Sequence, residues 1–234
     1  MIDIHSHVIH CVDDGSPNLE TSISLIKEEI KQGVTDIICT PHYRKGMFMT
    51  SKDDILMRFK ELKDAVKSEN LDINLYLGQE TYLHGYESLA HALDDNRIFS
   101  MNGKKYLLIE FSYTRELDLS EIVYTARLRG YIPIIAHIER YQYVDLEKAR
   151  EIVEYGGLIQ VNAASFLGKE GHRIKSRAMK YLKDDIVSFI ASDIHSKRVN
   201  YMEKAYQYIS KKFGEARADK LFHDNACQLL EEDK

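Results

Sequence analysis

The sequence predicts an α/β fold with a largely parallel sheet, and three observations carry that prediction. Seven short runs rich in β-branched and other apolar residues are each bounded by turn or polar residues. Longer segments with helical periodicity lie between these runs, which is typical of βα units. No linker rich in glycine, serine and proline divides the chain, so we expect a single domain spanning 1–234. A seven-stranded barrel, such as an irregular (β/α)7 barrel, and an open doubly wound sheet both fit this pattern.

The predicted elements alternate along the whole chain. The strands are predicted at residues 1–4, 36–39, 73–77, 106–109, 132–136, 158–161 and 187–191. The first helix is the clearest, because apolar residues recur at three- and four-residue steps from Leu19 to Ile30 and Gly33 follows as a helix stop. Similar periodicity predicts helices within 55–66, 122–128, 149–153, 178–182 and 205–209, and a terminal helical segment at about 214–230.

Charge and composition exclude several classes of protein. A net charge of −5 provides no general field that would attract nucleic acid or an anionic membrane, so an anionic substrate must be attracted locally. No apolar run approaches the roughly 18 residues that a membrane span needs, and the first residues lack an export signal, so we expect a cytoplasmic protein. The cysteines, Cys11, Cys39 and Cys227, are too far apart to indicate a disulfide framework.

Metal-competent side chains follow six of the seven predicted strands. Parallel α/β folds place their active sites at the carboxyl ends of the strands, so these side chains are expected to meet. They are His5, His7, Asp14, His42, Glu80, Glu110, His137, Asp193 and His195. His5 and His7 are two apart on an extended segment and therefore point to the same side, as do Asp193 and His195. Only the sixth strand differs, because it ends at Asn162.

The chemistry of this set indicates a cluster of divalent ions. Imidazole and carboxylate ligands together suit Mn²⁺, Fe²⁺ or Zn²⁺. Nine ligands exceed what one ion takes and fit two or three ions, an arrangement common in phosphoryl transfer. A single histidine at a strand end is more often a satisfied polar residue, and a single glutamate can cap a helix or pair with lysine. The joint pattern favours the metal centre over these separate explanations.

Eight motifs carry a resemblance to a known family. MIDIHSH, DDGS, PHYRKGMF, GQE, LIEF, IAHIERY, QVNA and ASDIH occur in this order between Met1 and about Leu230. Together they resemble the manganese-dependent tyrosine phosphatases of the polymerase and histidinol phosphatase (PHP) superfamily, found in capsule and exopolysaccharide operons of Gram-positive bacteria. The resemblance implies a PHP-type irregular (β/α)7 barrel, Mn²⁺ as the cofactor, and the phosphorylated tail of a cognate tyrosine kinase as the protein substrate.

The resemblance also implies roles for individual residues. It implies three metal ions, one held by His5, His7, Glu80 and Asp193, one by Glu80, Glu110 and His137, and one by Asp14, His42 and His195. Arg140 and Arg198 are implied to bind phosphate, and Arg44 and Lys45 of the PHYRKGMF loop to lie near the substrate.

The resemblance implies hydrolysis of phosphotyrosine, and the metal-ligand set predicts that this reaction needs no covalent phosphoenzyme. The ions would activate a water molecule, and Arg140 would neutralise charge on the phosphoryl oxygens. A tyrosyl phenolate, with a pKa of about 10, is a fairly good leaving group, and Asp193, His195 and Arg198 are the candidates to assist its departure.

The sequence argues against a cysteine-based mechanism, and three other functions are alternatives to phosphotyrosine hydrolysis. Cysteine-based phosphatases need an arginine six positions after the nucleophile, whereas Pro17 follows Cys11 and Lys45 follows Cys39 at that distance. A small-molecule phosphatase, for example one acting on histidinol phosphate, would use the same metal ligands. A nuclease-like phosphodiesterase is disfavoured by the acidic charge balance, and a catalytically silent kinase-docking protein by the complete ligand set. The sequence leaves the oligomeric state open.

Overall fold

Strands and helices alternate along the chain in a computed structural model that describes residues 1–231. The strands are β1 (Ile2–Ser6), β2 (Asp36–Cys39), β3 (His42–Tyr43), β4 (Asn74–Leu77), β5 (Glu80–Tyr82), β6 (Tyr106–Glu110), β7 (Ile132–Ile135), β8 (Leu158–Asn162) and β9 (Phe189–Ala191). The helices are α1 (Leu19–Lys31), α2 (Lys52–Ser68), α3 (Tyr86–Asp94), α4 (Leu119–Leu128), α5 (Leu146–Glu154), α6 (Ala163–Phe166), α7 (His172–Lys183), α8 (Met202–Phe213), α9 (Glu215–Asp219) and α10 (Asn225–Leu230).

The strands form a closed parallel barrel with seven strand positions around the ring, and each position is called a stave below. Hydrogen bonding gives one sheet in the order β1-β2-β4 and another in the order β3-β5-β6-β7-β8-β9. Only two residues separate β2 from β3, and only two separate β4 from β5, so each pair is one stave with a break. The ring closes between the first and last staves, where the Asp193 amide donates to the His5 carbonyl at 2.8 Å and Ser6 bridges Ile194. The (β/α)7 barrel is therefore confirmed, and the open sheet is not observed.

Local signals explain where the main helices begin and end. The Asn18 side chain caps α1 by accepting from the Thr21 amide at 2.8 Å, and Gly33 follows the helix with a φ of 80°, which glycine adopts without strain. Ser51, Asp118 and Asp145 cap α2, α4 and α5 in the same way. The α1 face that includes Ile23 and Ile26 is buried in the layer of helices around the barrel.

Apolar side chains fill the part of the barrel interior that lies away from the carboxyl ends of the strands. One cluster of buried residues draws from strands around the ring and includes Ile4, Ile38, Leu108, Ile134 and Phe189. Such layers make the barrel interior a packed core and leave only the carboxyl ends of the strands free for chemistry.

The terminal segment closes the amino-terminal end of the barrel. Leu229 of α10 belongs to the interior cluster, and the Asn225 amide donates to the Ser188 carbonyl, just before β9, at 2.7 Å. A π-helical turn at Lys220–Asp224 interrupts this segment, which otherwise follows the predicted helical span. In the described residues, the site therefore opens toward the carboxyl ends of the strands.

The helix α3 was not predicted from the sequence. It begins after Gly85 without a side-chain cap, and only Leu89 and Ala92 are buried along its length. Two buried positions are too few to produce a clear helical period. The helix α6 was also missed, because its four residues form a single turn, which is too short to show a helical period. Within residues 1–231, no helix combines the length and apolar character that crossing a bilayer requires.

Candidate metal centre

All nine candidate ligands lie at the carboxyl-terminal mouth of the barrel. Their imidazole and carboxylate atoms form an unbroken series of contacts of 3.7 Å or less. Most of these side chains are almost fully buried, and Asp14 is the most exposed, at 57% of its side-chain surface. The residues that were scattered along the sequence are thus brought to one place.

The first strand delivers His5 and His7 through a β-bulge. The register between β1 and β2 shifts between Asp3 and Ser6. Ile4 packs in the apolar cluster inside the barrel, yet the next residue, His5, also points inward, because the bulge breaks the alternation of the strand. The Nε2 atoms of His5 and His7 lie 3.1 Å apart, and each lies 3.2 Å from Glu80 Oε2.

Glu80 occupies the centre of the cluster. Its Oε1 lies 2.9 Å from His137 Nε2, and its Oε2 lies 2.9 Å from His42 Nδ1. Burial by itself would raise the pKa of this carboxyl, but the surrounding imidazoles, led by His5 and His42, hold it well below its ordinary value. Glu80 is therefore an ionised carboxylate with histidines facing both oxygens, a geometry suited to bridging two ions.

Two further groups flank Glu80 on opposite sides. Glu110 lies 3.7 Å from His137 Nε2 and accepts a hydrogen bond from the Tyr113 hydroxyl at 2.8 Å. On the other side, Asp14 Oδ1 lies 3.6 Å from both His42 Nε2 and His195 Nε2. The cluster thus extends along the mouth from Glu110 to Asp14.

The donor atoms fit divalent ions. In four trios, one ligand atom from each residue lies within 4.8 Å of the other two. The trios are His5 with His7 and Asp193, His5 with Glu80 and His137, His42 with Glu80 and Glu110, and His7 with His42 and His195. His195 Nε2 is also buried without a hydrogen-bond partner among residues 1–231. A buried acceptor without a partner is costly unless a cation occupies the space beside it.

Asp193 connects the imidazoles to the arginines. Its Oδ1 faces His5 and His7 at 3.7 Å, whereas its Oδ2 accepts from Arg140 Nη1 at 2.9 Å and lies 2.5 Å from Arg198 Nη1. Burial would raise the pKa of this carboxyl, but Arg140 and the neighbouring cations hold it well below its ordinary value. One oxygen is thus available to an ion while the other is held by guanidinium groups.

Arg44 and Lys45 lie farther out than the other predicted residues. The Arg44 guanidinium stacks on the Tyr82 ring at 4.1 Å, and Lys45 lines a separate cavity of about 130 Å³ beside Tyr43. Within residues 1–231, neither has a hydrogen bond or ion pair to a candidate ligand. Their role in substrate binding stays a prediction.

Sequence reasoning missed the residues that orient the ligands. Asp13 Oδ2 accepts from His7 Nδ1 at 2.8 Å. Gln160 Oε1 lies 3.1 Å from His5 Nδ1 and accepts the His137 amide at 2.8 Å. Partners of this kind leave Nε2 free to bind a metal. The available signals were the acidic pair in DDGS and two amide side chains, at 160 and 162, on the one strand without a ligand.

Asn162 completes the layer beneath the ligands. Its Nδ2 donates to Asp193 Oδ2 at 2.9 Å, and its Oδ1 accepts from Gln160 Nε2 at 2.8 Å. The sixth stave therefore carries a chain of amides that connects Asp193 to His5. Its lack of a ligand reflects a supporting role beneath the site.

Backbone geometry at the mouth is unusual. His137 has a φ of 32° and Asp193 a φ of 52°, in the left-handed region that non-glycine residues rarely adopt. Gly15 packs so closely that a Cβ there would lie 2.2 Å from the His7 carbonyl oxygen. The structure thus accepts local strain and a tight turn where the ligands converge, as functional sites often do.

Comparisons with known proteins agree with this geometry. Residues 1–231 match the family described as capsular polysaccharide synthesis, CpsB/CapC. The chain is 37% identical to the tyrosine-protein phosphatase CpsB of Streptococcus agalactiae over 98% of each sequence. It is 29% identical to the tyrosine-protein phosphatase YwqE of Bacillus subtilis, over 98% of this chain and 91% of that protein.

A solved structure extends the likeness to three dimensions. The structure comes from a study of YwqE from B. subtilis and CpsB from Streptococcus pneumoniae, described as metal-dependent tyrosine phosphatases. It superposes with a TM-score of 0.90 at 27% identity and covers 100% of this chain and 96% of the other. With a full-length family match and relatives above 30% identity, this chain belongs to the CpsB/CapC family of capsular polysaccharide synthesis.

Proposed function

We propose that this protein is a metal-dependent tyrosine-protein phosphatase that acts in capsular polysaccharide synthesis. One observation carries the proposal: a chain related over its full length to tyrosine-protein phosphatases brings nine metal-competent side chains together at one barrel mouth. A protein that only docked a kinase would gain nothing from this convergence.

The metal ligands in this proposal are the nine residues predicted from the sequence, and the metal is Mn²⁺. Mixed histidine and carboxylate donors without cysteine support a borderline or hard divalent ion, and Fe²⁺ and Zn²⁺ are the alternatives. Bound ions would supply Lewis acidity toward the phosphoryl oxygens and lower the pKa of a coordinated water. Glu80 would bridge ions, Gln160 and Asp13 would orient His5 and His7, and Tyr113 would hold Glu110.

Arg140 and Arg198 bind the substrate phosphate in this proposal. Both guanidinium groups lie at the edge of the ligand cluster, where each forms an ion pair with Asp193 Oδ2. Arginine presents a planar set of donors that matches phosphate oxygens, so it can hold the phosphoryl group and neutralise its charge. Because the phenolate leaves readily, His195, Asp193 or Arg198 needs to provide only modest assistance at the ester oxygen.

The physiological substrate in this proposal is a phosphorylated tyrosine kinase of the capsule system. Membership of a capsular polysaccharide synthesis family supports a substrate within that process. The tail of the kinase as the segment recognised, and a cytosolic location, stay predictions from the sequence.

Hydrolysis after metal removal and restoration tests the proposed function. Chelated protein should lose activity on a phosphotyrosyl peptide and regain it with Mn²⁺. Histidinol phosphate and single-stranded DNA, offered to the same Mn²⁺-restored protein, should be hydrolysed far more slowly than the peptide. Full activity in protein shown to be free of metal would overturn the proposal, and so would a preference for either alternative substrate.

A further inference from the structure

A cavity lined by arginines opens beside the metal centre. Its volume is about 610 Å³, and its wall includes Arg140, Arg173 and Arg177 together with Glu170 and Gln142. Arg140 is paired with Glu170 and Asp193, so the excess positive charge of this wall comes from Arg173 and Arg177. The chain as a whole carries a net charge of −5, so the cavity opposes the overall charge.

Arg140 joins the cavity to the metal centre. Its Nη1 donates to Asp193 Oδ2 at 2.9 Å, and its Nε donates to Glu170 Oε1 at 3.0 Å. One side chain thus faces the candidate phosphate site on one side and the cavity on the other. A substrate whose phosphate meets Arg140 would therefore have its neighbouring residues within reach of this wall.

Within residues 1–231, the carboxylate on the cavity wall forms no ion pair with Arg173 or Arg177. Glu170 is already engaged, with Oε1 on Arg140 and Oε2 on the Ser165 hydroxyl. The Nε of Arg177 donates a hydrogen bond to the main-chain carbonyl of Glu139 at 2.6 Å. The two terminal nitrogens of Arg177 remain available to a ligand. The Arg173 side chain has no hydrogen bond or ion pair to any residue in the described part of the chain.

The positions of these arginines on α7 indicate a ligand. Arg173 and Arg177 are four residues apart, so they project from the same face of the helix, where like charges repel each other. Arg173 also lies in the first turn, where the helix dipole disfavours a cation, and no acidic residue accompanies it there. An anion in the cavity would relieve both unfavourable interactions.

We propose that this cavity is a subsite for a second anionic group of the substrate, an acidic or phosphorylated side chain close to the phosphotyrosine in the peptide. The proposal rests on the proposed phosphatase activity and adds a determinant of peptide specificity. The carboxylate and the phosphate share one chemistry here, because both accept charge-assisted hydrogen bonds from Arg173 and Arg177.

The test compares three phosphotyrosyl peptides of equal length. One carries aspartates flanking the phosphotyrosine, one carries asparagines there, and one carries a second phosphotyrosine. Wild-type protein should show a KM about tenfold lower for at least one anionic peptide than for the asparagine peptide, as expected for charge-assisted hydrogen bonds to the exposed Arg173 and the half-buried Arg177. The anionic peptide with the lower KM identifies the preferred anionic group.

Arg173→Ala should remove most of this difference, because only Arg177 then remains to contact the anion. Its KM for the preferred anionic peptide should rise toward the value for the asparagine peptide, while kcat/KM on p-nitrophenyl phosphate stays unchanged. Lys180→Ala is the matched control, because Lys180 is an exposed cation near the other end of α7. It should leave all four substrates unaffected.

The outcomes separate the two proposals. Wild-type protein that hydrolyses all three peptides with equal KM would overturn the subsite but leave the phosphatase intact. Equal losses on p-nitrophenyl phosphate and on the peptides in Arg173→Ala would also overturn the subsite, because they would show a general effect on the reaction centre. Wild-type protein with Mn²⁺ that hydrolyses none of the substrates would overturn the proposed function itself.

Discussion

Two pairs of buried carboxyls in this protein have pKa values that are shifted in opposite directions. Glu80 and Asp193 lie at the barrel mouth, whereas Asp3 and Glu29 lie between β1 and α1, and all four are at most 2% exposed. The pKa values of Glu80 and Asp193 are held well below the ordinary value of a carboxyl. The pKa of Asp3 is raised, and that of Glu29 is raised well above its ordinary value.

The difference arises from the neighbours, because burial acts alike on both pairs. Burial raises the pKa of every one of these carboxyls. At the mouth, histidines and Arg140 outweigh it. Beside α1, burial and the neighbouring Asp3 both raise the pKa of Glu29. Glu80 and Asp193 are thus kept as carboxylates, while the second pair retains a proton and serves packing.

The largest expected effect comes from removing one anion at the mouth. Asp193→Asn would remove a ligand charge and leave Arg140 and Arg198 facing an amide. We expect kcat/KM on a phosphotyrosyl peptide to fall by about 1,000-fold, in line with losses of preorganised charge in active sites. Metal analysis should show less Mn²⁺ bound per chain. Activity within tenfold of wild type would mean that Asp193 is not a ligand.

A smaller effect is expected from the amide that orients His5. Gln160→Leu would remove the acceptor for His5 Nδ1 and should weaken Mn²⁺ binding by about 10- to 100-fold, as for other groups that support metal ligands. Titration with Mn²⁺ should largely restore kcat. Gln160→Glu keeps an acceptor at this position and should bind Mn²⁺ more tightly than the leucine variant. An unchanged affinity in Gln160→Leu would contradict the positioning role.

The smallest effect is expected at Glu29, which tests the other side of the comparison. A carboxyl whose pKa is raised on folding contributes stability that is fully present below its unfolded pKa, near 4.5, and is lost as pH rises through the folded pKa. Because Glu29 is protonated in the folded state, Glu29→Gln resembles it and should retain activity. Its melting temperature should depend less on pH above 4.5 than that of wild type.

Thermal unfolding between pH 5 and pH 8 measures this difference. Each unit of pKa shift corresponds to about 1.4 kcal/mol, so a change of several degrees in the melting temperature is expected across the range. If the melting temperatures of wild type and Glu29→Gln depended on pH in the same way, Glu29 would not be protonated in the folded state.

The sequence predicted the staves of the barrel well because their signals are local. Each buried strand is a run of β-branched and apolar residues, so all seven staves were located from composition. The helix α3 lacked such a signal, since only two of its residues face the core. Closure of the ring between β1 and β9 depends on contacts between residues almost 190 positions apart, which no local pattern encodes.

The sequence by itself determined which chemistry is available here: imidazoles and carboxylates placed after parallel strands, at positions that the fold brings to one rim. Only the tertiary structure decided how those groups are held. The bulge that turns His5 inward, the amides of β8 beneath the ligands, and the opposite protonation of equally buried carboxyls all depend on neighbours distant in sequence. Electrostatic and hydrogen-bond energies vary with distances in space, and those distances exist only after the chain has folded.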